Sequence, residues 1–401
     1  YLAFGRQIPD GTVSWKGHEF GPRTALWLRD LETGAERIVM DPAAVAIESG
    51  SKSLRILPGY AWEDDGSGIV IWEGGKIRRV SVDTGAVETL PFRARVQRTL
   101  SGLAYGSIRI TDDPFPARFM RWQTASPDGG TVAFQAVGRI WLQSREGSEA
   151  RRLTGPGFGE VQEFGPAWSP DGRWIAFTTW QDTAGGHIWK IPAGGGEPVR
   201  LTREAGEYVH PAWSADGATV VAARGAGATR RGRTVTHNPW WDVVTVPAEG
   251  GAITRVIQVA LPAGQNPSST ARRGILAPSF GPEGRIFFPA PVEGEMTLVS
   301  VRPDGSDERR HLVLADADEM TPSPDGDWVA FQEGDNVYLT RLPFAGTGGE
   351  AVEIDKRNGR LPVRRLSMEG GLFPRWRGDG RVEFGSGDRY FVHDPAREVT
   401  D

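Results

Sequence analysis

The chain has 401 residues, of which 53 are Gly and 29 are Pro, and so large a share of turn-forming residues leaves little room for long helices. The net charge of −5 gives no general attraction to nucleic acid, and no apolar run is long enough for a membrane-spanning helix. The absence of cysteine excludes disulfides, zinc–thiolate sites and thiol nucleophiles. With 15 Trp and 17 Phe to fill pleated surfaces, the composition favours an all-β protein.

The first predicted element, residues 1–4, aligns with a strand that follows a Pro-Asp-Gly turn in later repeats, and residues 24–28 align with the next strand. The chain therefore opens just after the place where such a turn would stand. We expect it to be a fragment of a longer polypeptide. The alternative is a circular closure, in which the C-terminal segment supplies the missing strand.

One sequence element recurs along the whole chain and identifies the fold. Its clearest copies are 166–177, 211–222 and 321–331, and its weaker copies are 60–66, 123–129, 278–284 and 374–380. Each contains a turn such as Ser-Pro-Asp-Gly, in which Pro presets φ and Gly accepts positive φ. Three intervals between the turn glycines measure 42–45 residues, the length of a four-stranded propeller blade.

Each repeat predicts four strands. After the turn of the first clear copy come an apolar strand at 174–177, a third strand at 187–191, a glycine-rich turn and a fourth strand at 199–202. The predicted fold is thus all-β, a β-propeller of four-stranded antiparallel blades with about eight repeat units, the first of them incomplete.

A long connection from Pro91 to Met120, rich in arginine, suggests a domain boundary. Two repeat units precede it and six follow, and six is a common blade number. We therefore expect residues 1–92 to be two blades of an upstream propeller and residues 93–401 to be a six-bladed propeller. The alternative is one seven- or eight-bladed propeller over residues 1–401.

The recurring Pro-x-Trp-Ser-Pro-Asp-Gly-x-x-Ile-Ala-Phe element resembles the TolB-like propeller repeat. Further stretches resemble the propeller region ahead of the metal-dependent hydrolase domain in large exported bacterial amidohydrolases; they are 57–62, 75–79, 91–95, 134–141, 206–213 and 236–242. The resemblance covers nearly the whole chain and is specific for architecture rather than for activity.

This resemblance implies a non-catalytic platform that docks onto a hydrolase domain of the same polypeptide and gates its substrate, in a periplasmic or secreted protein. The family's metal-binding His-x-His pair does not occur here, since the six histidines are isolated. A divalent metal would therefore belong to the parent hydrolase domain, and no cofactor or catalytic residue is expected in this segment. The alternatives are a stand-alone periplasmic propeller that binds a peptide or protein, and the propeller of an oligopeptidase.

Motifs for other chemistry are missing from the sequence. It contains no Gly-x-Ser-x-Gly, His-Glu-x-x-His or phosphate-loop pattern. The acidic clusters at 304–308 and 315–319 could offer oxygen ligands to Ca²⁺, but we expect them to be solvated loops between strands. The aromatic residues before the turns are expected to pack between blades, because one stands at the same offset in each repeat; they are Trp62, Trp168, Trp213, Phe280 and Trp376.

The innermost strand of each blade lines the central channel, so the residues that begin it form a ring at one mouth. The aligned positions are Gly59, Trp122, Gly165, His210, Ala277, Glu319 and Phe373. His210 is preceded by Glu207 and Tyr208, and a histidine flanked by a carboxylate and a phenol could bind a peptide terminus or a metal. A hydrogen-bonded structural histidine is the competing interpretation. The candidate binding residues are Glu207, Tyr208, His210, Trp122, Glu319 and Phe373.

An insertion at 224–242 is far longer than a hairpin needs and is rich in Arg and Trp, the residue types enriched at interface anchors. Its candidate interface residues are Arg230, Arg231, Arg233, His237, Trp240 and Trp241. The loop could equally fold back on its own blade.

Overall fold

A computed structural model describes residues 1–8, 13–15, 18–20, 23–45, 59–73, 75–98, 113–147, 149–229, 235, 238–260, 276–314, 316–343, 349–356, 359 and 361–396. Over these residues the chain consists of antiparallel strands and tight turns, with single-turn 3-10 helices at Pro156–Phe158 and Pro282–Gly284. None of the described helices is long and apolar enough to cross a membrane. The chain divides into two compact units, one covering Tyr1–Phe115 and the other covering Pro116–Arg230 and Thr234–Asp401.

The Ser-Pro-Asp-Gly turns create the hairpins from which the sheets are built. In the first clear repeat the Ser169 hydroxyl donates to Asp171 at 2.6 Å, and the Trp174 backbone N–H donates to the same hydroxyl at 2.9 Å. Gly172 then reverses the chain with a φ of 70°. The Ser169 hydroxyl, followed by the Arg173 backbone N–H, lowers the pKa of Asp171 to about 2. Equivalent Ser–Asp hydrogen bonds stand at Ser126, Ser214 and Ser323.

The described part of the first unit contains three sheets. The first is formed by Leu2–Ile8, Arg23–Arg29 and Glu36–Val45, the second by Val13–Trp15 and His18–Phe20, and the third by Tyr60–Trp62, Gly68–Glu73, Lys76–Ser81 and Val87–Leu90. An apolar cluster that includes Leu26, Leu28, Ile69 and Ile71 joins the first and third sheets.

The described part of the second unit contains six sheets, numbered here in chain order. Sheet 1 comprises Arg121–Ala125, Thr131–Ala136, Arg139–Ser144 and Arg151–Arg152; sheet 2 comprises Gln162–Trp168, Trp174–Trp180, Ile188–Pro192 and Val199–Arg200; sheet 3 comprises Glu207–Trp213, Thr219–Gly225, Trp240–Pro247 and Thr254–Ala260. Sheet 4 comprises Ser279–Phe280, Ile286–Val292, Glu295–Val301, Arg309–Val313 and Val352–Glu353; sheet 5 comprises Ala317–Pro322, Trp328–Glu333, Asn336–Arg341 and Arg364–Arg365; sheet 6 comprises Leu372–Trp376, Val382–Ser386 and Arg389–His393.

The six sheets follow one another around an axis, and neighbouring sheets contact each other through their first or second strands. Sheet 6 packs against sheet 1, where the backbone N–H of Ala125 donates to the Glu383 carboxylate at 3.1 Å and that of Met120 donates to the Gly387 carbonyl at 2.9 Å. The predicted fold class, an all-β propeller built of four-stranded blades, is confirmed. Sheet 4 gains a fifth strand because Val352–Glu353 pairs parallel to its edge.

The assignment of residues 1–92 to an upstream propeller and of 93–401 to a six-bladed ring stays a prediction, as does the single-ring alternative. The packing predicted for the aromatic residues before the turns is confirmed for three of them. The indole N–H of Trp168, Trp213 and Trp376 each donates to a first-strand carbonyl of the preceding sheet, at 2.9–3.2 Å.

Candidate functional site

A cavity of about 420 Å³ runs along the axis of the second unit and is lined by residues from all six sheets. It extends from the start of the innermost strands, at Trp122, His210 and Arg375, to the turns, at Pro170 and Gly378. This cavity is called the channel below. Its wall is mostly Pro, Ala, Gly, Ser, Thr and aromatic side chains, so small uncharged groups surround the space.

Backbone bulges shape the inner end of the channel. In sheets 1, 2, 3 and 6 the innermost strand changes register between the residues that flank this position. The bulged residues take left-handed φ values of 51° at Trp122, 58° at Gly165, 51° at His210 and 61° at Phe373. Glycine accepts this conformation freely, whereas the larger residues hold it at an energetic cost. We therefore regard this ring of positions as the candidate site.

Trp122 fills the inner end of the channel. Its ring centroid lies 5.5 Å from that of Phe373, 5.9 Å from the His210 ring and 6.2 Å from that of Phe164. The contacts with His210 and Phe164 are edge-to-face, the arrangement that suits aromatic quadrupoles. Side chains of sheets 1, 2, 3 and 6 thus meet in one aromatic cluster.

Arg375 crosses the channel beside this cluster. From sheet 6 its guanidinium donates to Glu319 of sheet 5 at 2.9 Å and to Nδ1 of His210 in sheet 3 at 3.2 Å. Sheets 3 and 6 are opposite each other in a ring of six, so this side chain spans the axis. Together Arg375, Glu319 and His210 form a hydrogen-bonded bridge across the inner end of the channel, and these three residues are called its floor.

His210 is neutral in this setting. Burial, with the positive charge of Arg375 as the second cause, lowers its pKa to about 3. Because an arginine can only donate, Nδ1 of His210 must be the acceptor and the ring proton must be on Nε2. The histidine therefore contributes one N–H donor and no charge.

The structure brings together four of the six candidate residues, namely Trp122, His210, Glu319 and Phe373. It does not bring Glu207 and Tyr208 to them. Glu207 is buried and accepts from the Asn238 side chain at 2.8 Å, so it holds the loop after its own hairpin. Tyr208 is 2 % exposed in an apolar cluster, with its hydroxyl donating to the Glu204 carbonyl.

Four of the six candidate interface residues lie outside the described residues, namely Arg230, Arg231, Arg233 and His237. Trp240 and Trp241 begin a strand of sheet 3. The Trp241 side chain is fully buried in an apolar cluster between sheets 3 and 4. An interface role for the loop stays a prediction.

Sequence reasoning missed Arg375, although the repeat held a signal. In two of the three clear copies the residue between Pro and Trp is alanine, at Ala167 and Ala212, and in the last copy of the repeat it is arginine. A charged residue at a position where other blades have a small channel-facing residue indicates a candidate functional residue. Among the described residues no group of three or more His, Asp or Glu is arranged to hold a metal ion.

No protein-family model matches the chain. An uncharacterised protein of Agrobacterium fabrum is 26% identical over 290 residues, which cover 69% of this chain and 91% of that protein. An uncharacterised peptidase of Bacillus subtilis is 26% identical over 140 residues, 32% of this chain and 21% of the peptidase. A solved structure of a putative TolB from Agrobacterium tumefaciens is 20% identical, with a TM-score of 0.43, and the match covers 63% of this chain and 91% of that one.

A putative TolB is thus among the proteins to which this chain is similar. None of the three proteins named above is described as an amidohydrolase, so the predicted resemblance to exported amidohydrolases stays a prediction.

Proposed function

We propose that the second unit is a non-catalytic recognition propeller that binds an extended polypeptide segment in its channel. The observation that supports this best is the channel itself, whose volume of about 420 Å³ is within the range of ligand pockets. It is lined by every sheet of the unit, so its shape depends on the closed ring rather than on one loop.

The lining has the chemistry that an extended peptide needs. Prolines contribute rigid apolar surface from several sheets, at Pro127, Pro166, Pro170, Pro211, Pro278, Pro322 and Pro324. Proline side chains lose little conformational freedom when a ligand binds, and this lowers the entropic cost of association. Polar groups at His210, Arg375 and Thr321 offer donors and acceptors to a peptide backbone, which carries one of each per residue.

A binding measurement with an obstructed channel tests this function. Ala215 lines the channel at an exposed turn, where tryptophan would narrow the space with little effect on folding. The probe is a pool of acetylated, amidated, fluorescein-labelled heptapeptides of random sequence, followed by fluorescence anisotropy. We expect the unaltered protein to retain a subset of peptides and Ala215→Trp to bind that subset at least tenfold more weakly.

The matched control is Ala218→Trp, in the same turn but outside the channel lining. It should bind the pool as the unaltered protein does. Absence of any retained peptide, or equal binding by both tryptophan variants, would count against the proposed function.

A second candidate deepens the first. The stretches that resemble exported amidohydrolases support a platform role, in which the bound segment belongs to a hydrolase domain of the same polypeptide and the propeller gates its substrate. In that case the isolated hydrolase domain, added in trans, should compete with the peptide pool, and Ala215→Trp should abolish the competition. A hydrolase domain that binds equally well to Ala215→Trp would contradict this version.

The same resemblance supports a periplasmic or secreted location. Fractionation of cells that express the full-length protein tests it, and recovery with the cytosolic fraction alone would contradict it.

A further inference from the structure

The described residues that line the channel include three that carry charge, Glu319, Arg375 and Arg377. Each is paired. Arg375 donates to Glu319 at 2.9 Å, and Arg377 lies 3.1 Å from the Asp379 carboxylate. The remaining titratable lining residue is His210, which is neutral. The channel is therefore lined by cations whose charges are already balanced.

This balance depends on Glu319 at the floor. The side chains of Glu319 and Arg375 are 15 % and 29 % exposed, so water screens them less than it would a surface pair. Without Glu319 the guanidinium would present a full positive charge to the space beside His210. With Glu319 the floor offers hydrogen bonds but no net charge.

We propose that Glu319 is a specificity-determining residue, which cancels the Arg375 charge so that the channel accepts uncharged polypeptide segments and rejects acidic ones. This inference rests on the proposed function and adds the ligand class to it. A carboxylate that entered the channel would lose its hydration, which is energetically costly. No unpaired cation would compensate for that cost, because Arg375 is already paired with Glu319. An amide of the same shape loses less and can accept from the His210 Nε2–H or from Arg375.

The inference predicts a reversal of preference, which a purely structural ion pair would not produce. Glu319→Gln keeps the size and an acceptor for Arg375 but leaves the arginine charge uncancelled. The channel should then attract carboxylates. The double variant Glu319→Gln/Arg375→Gln restores a neutral floor and should return the preference to uncharged segments.

The experiment compares two matched heptapeptide pools, both acetylated and amidated and free of Lys and Arg. The neutral pool contains Asn and Gln, and the acidic pool contains Asp and Glu at the same positions. Anisotropy titrations should show that the unaltered protein prefers the neutral pool by at least tenfold. Glu319→Gln should shift the ratio of the two affinities by at least tenfold toward the acidic pool, and the double variant should shift it back.

Asp327→Asn is the control, since this carboxylate is 64 % exposed, pairs with Arg341 and does not line the channel. It should leave the ratio unchanged. An unaltered protein without preference, or a ratio that is the same in Glu319→Gln, overturns the inference while leaving the proposed function intact. If neither pool binds any of these proteins, the proposed function itself fails. Thermal unfolding of each variant confirms that the affinities refer to folded protein.

Discussion

Arg375 joins side chains of three sheets, because its guanidinium reaches both Glu319 and His210 from sheet 6. Arg375 thus links three sheets and also lines the channel. Burial, with the Arg375 charge as the second cause, keeps the histidine neutral, and the hydrogen bond that Arg375 donates to Nδ1 fixes the proton on Nε2. Where other repeats have a small residue, such as Ala167 or Ala212, the last repeat thus places an arginine that links Glu319 and His210.

We expect Arg375→Met to destabilise the fold by about 1–2 kcal/mol, because Glu319 loses its charged partner in a half-buried position. The double variant Arg375→Met/Glu319→Gln should recover about half of that loss. Urea unfolding of the two single variants and the double variant measures the coupling. Additive effects would show that the pair does not interact energetically.

Glu383 should make stability depend on pH. Burial raises the pKa of this carboxyl to about 6, against the lowering effect of the Tyr390 hydroxyl, the Ala125 backbone N–H and the Arg377 charge. The folded chain therefore holds the proton more tightly than the unfolded chain does. The stabilisation is fully present below pH 4.5, the ordinary pKa of the group, and is lost as the pH rises through about 6. The free energy of unfolding should differ by about 2 kcal/mol between these limits.

Glu383→Gln removes this titration and keeps an acceptor for Ala125. As the pH rises from 4.5 to 7.5, the unaltered protein should lose this stabilisation and the variant should not. The free energy of unfolding of the variant, measured with urea, should therefore rise relative to that of the unaltered protein over this range. A constant difference over that range would mean that Glu383 does not titrate there.

At the scale of elements, the tryptophans before the turns connect neighbouring sheets. The Trp213 indole donates to the Ala167 carbonyl at 2.9 Å, and the ring packs beside the sheet 3 core. We expect Trp213→Phe to cost about 1 kcal/mol, the usual net worth of such a hydrogen bond, with a correspondingly lower thermal midpoint. Trp72, which is 60 % exposed, provides the comparison, and Trp72→Phe should change the midpoint little. Equal losses in the two variants would contradict the role assigned to the inter-sheet bond.

The elements could be predicted well from sequence because one turn chemistry recurs. The Ser169 and Asp171 side chains satisfy the backbone of their own turn, so the pattern alone indicated a hairpin there. The site was predicted less completely. Glu207 and Tyr208 stand next to His210 in sequence, but successive strand residues face opposite sides, and the bulge at His210 resets that alternation. Arg375 lies 165 residues from His210, a contact that ring closure creates and local patterns cannot reveal.

At the scale of the whole molecule, the second unit closes on itself through contacts between sheets 6 and 1. An apolar cluster of Val132, Phe134 and Ala136 packs against Tyr390, and Glu383 accepts from Ala125. These contacts lie within the second unit. Residues 116–401 alone should therefore unfold in one sharp thermal transition, measured by near-ultraviolet circular dichroism. An unfolded or insoluble product would instead favour a ring that requires residues 1–115.

The central claim is that the channel of the second unit is a binding site for an extended polypeptide segment. A crystal structure of the protein with a peptide recovered from the random pool tests it most directly. The account predicts peptide density along the axis, between Trp122 and Ala215, with a polar atom of the peptide within hydrogen-bond distance of His210 Nε2 or Arg375. Peptide density on the outer face of a sheet, with the channel free of it, would contradict the claim.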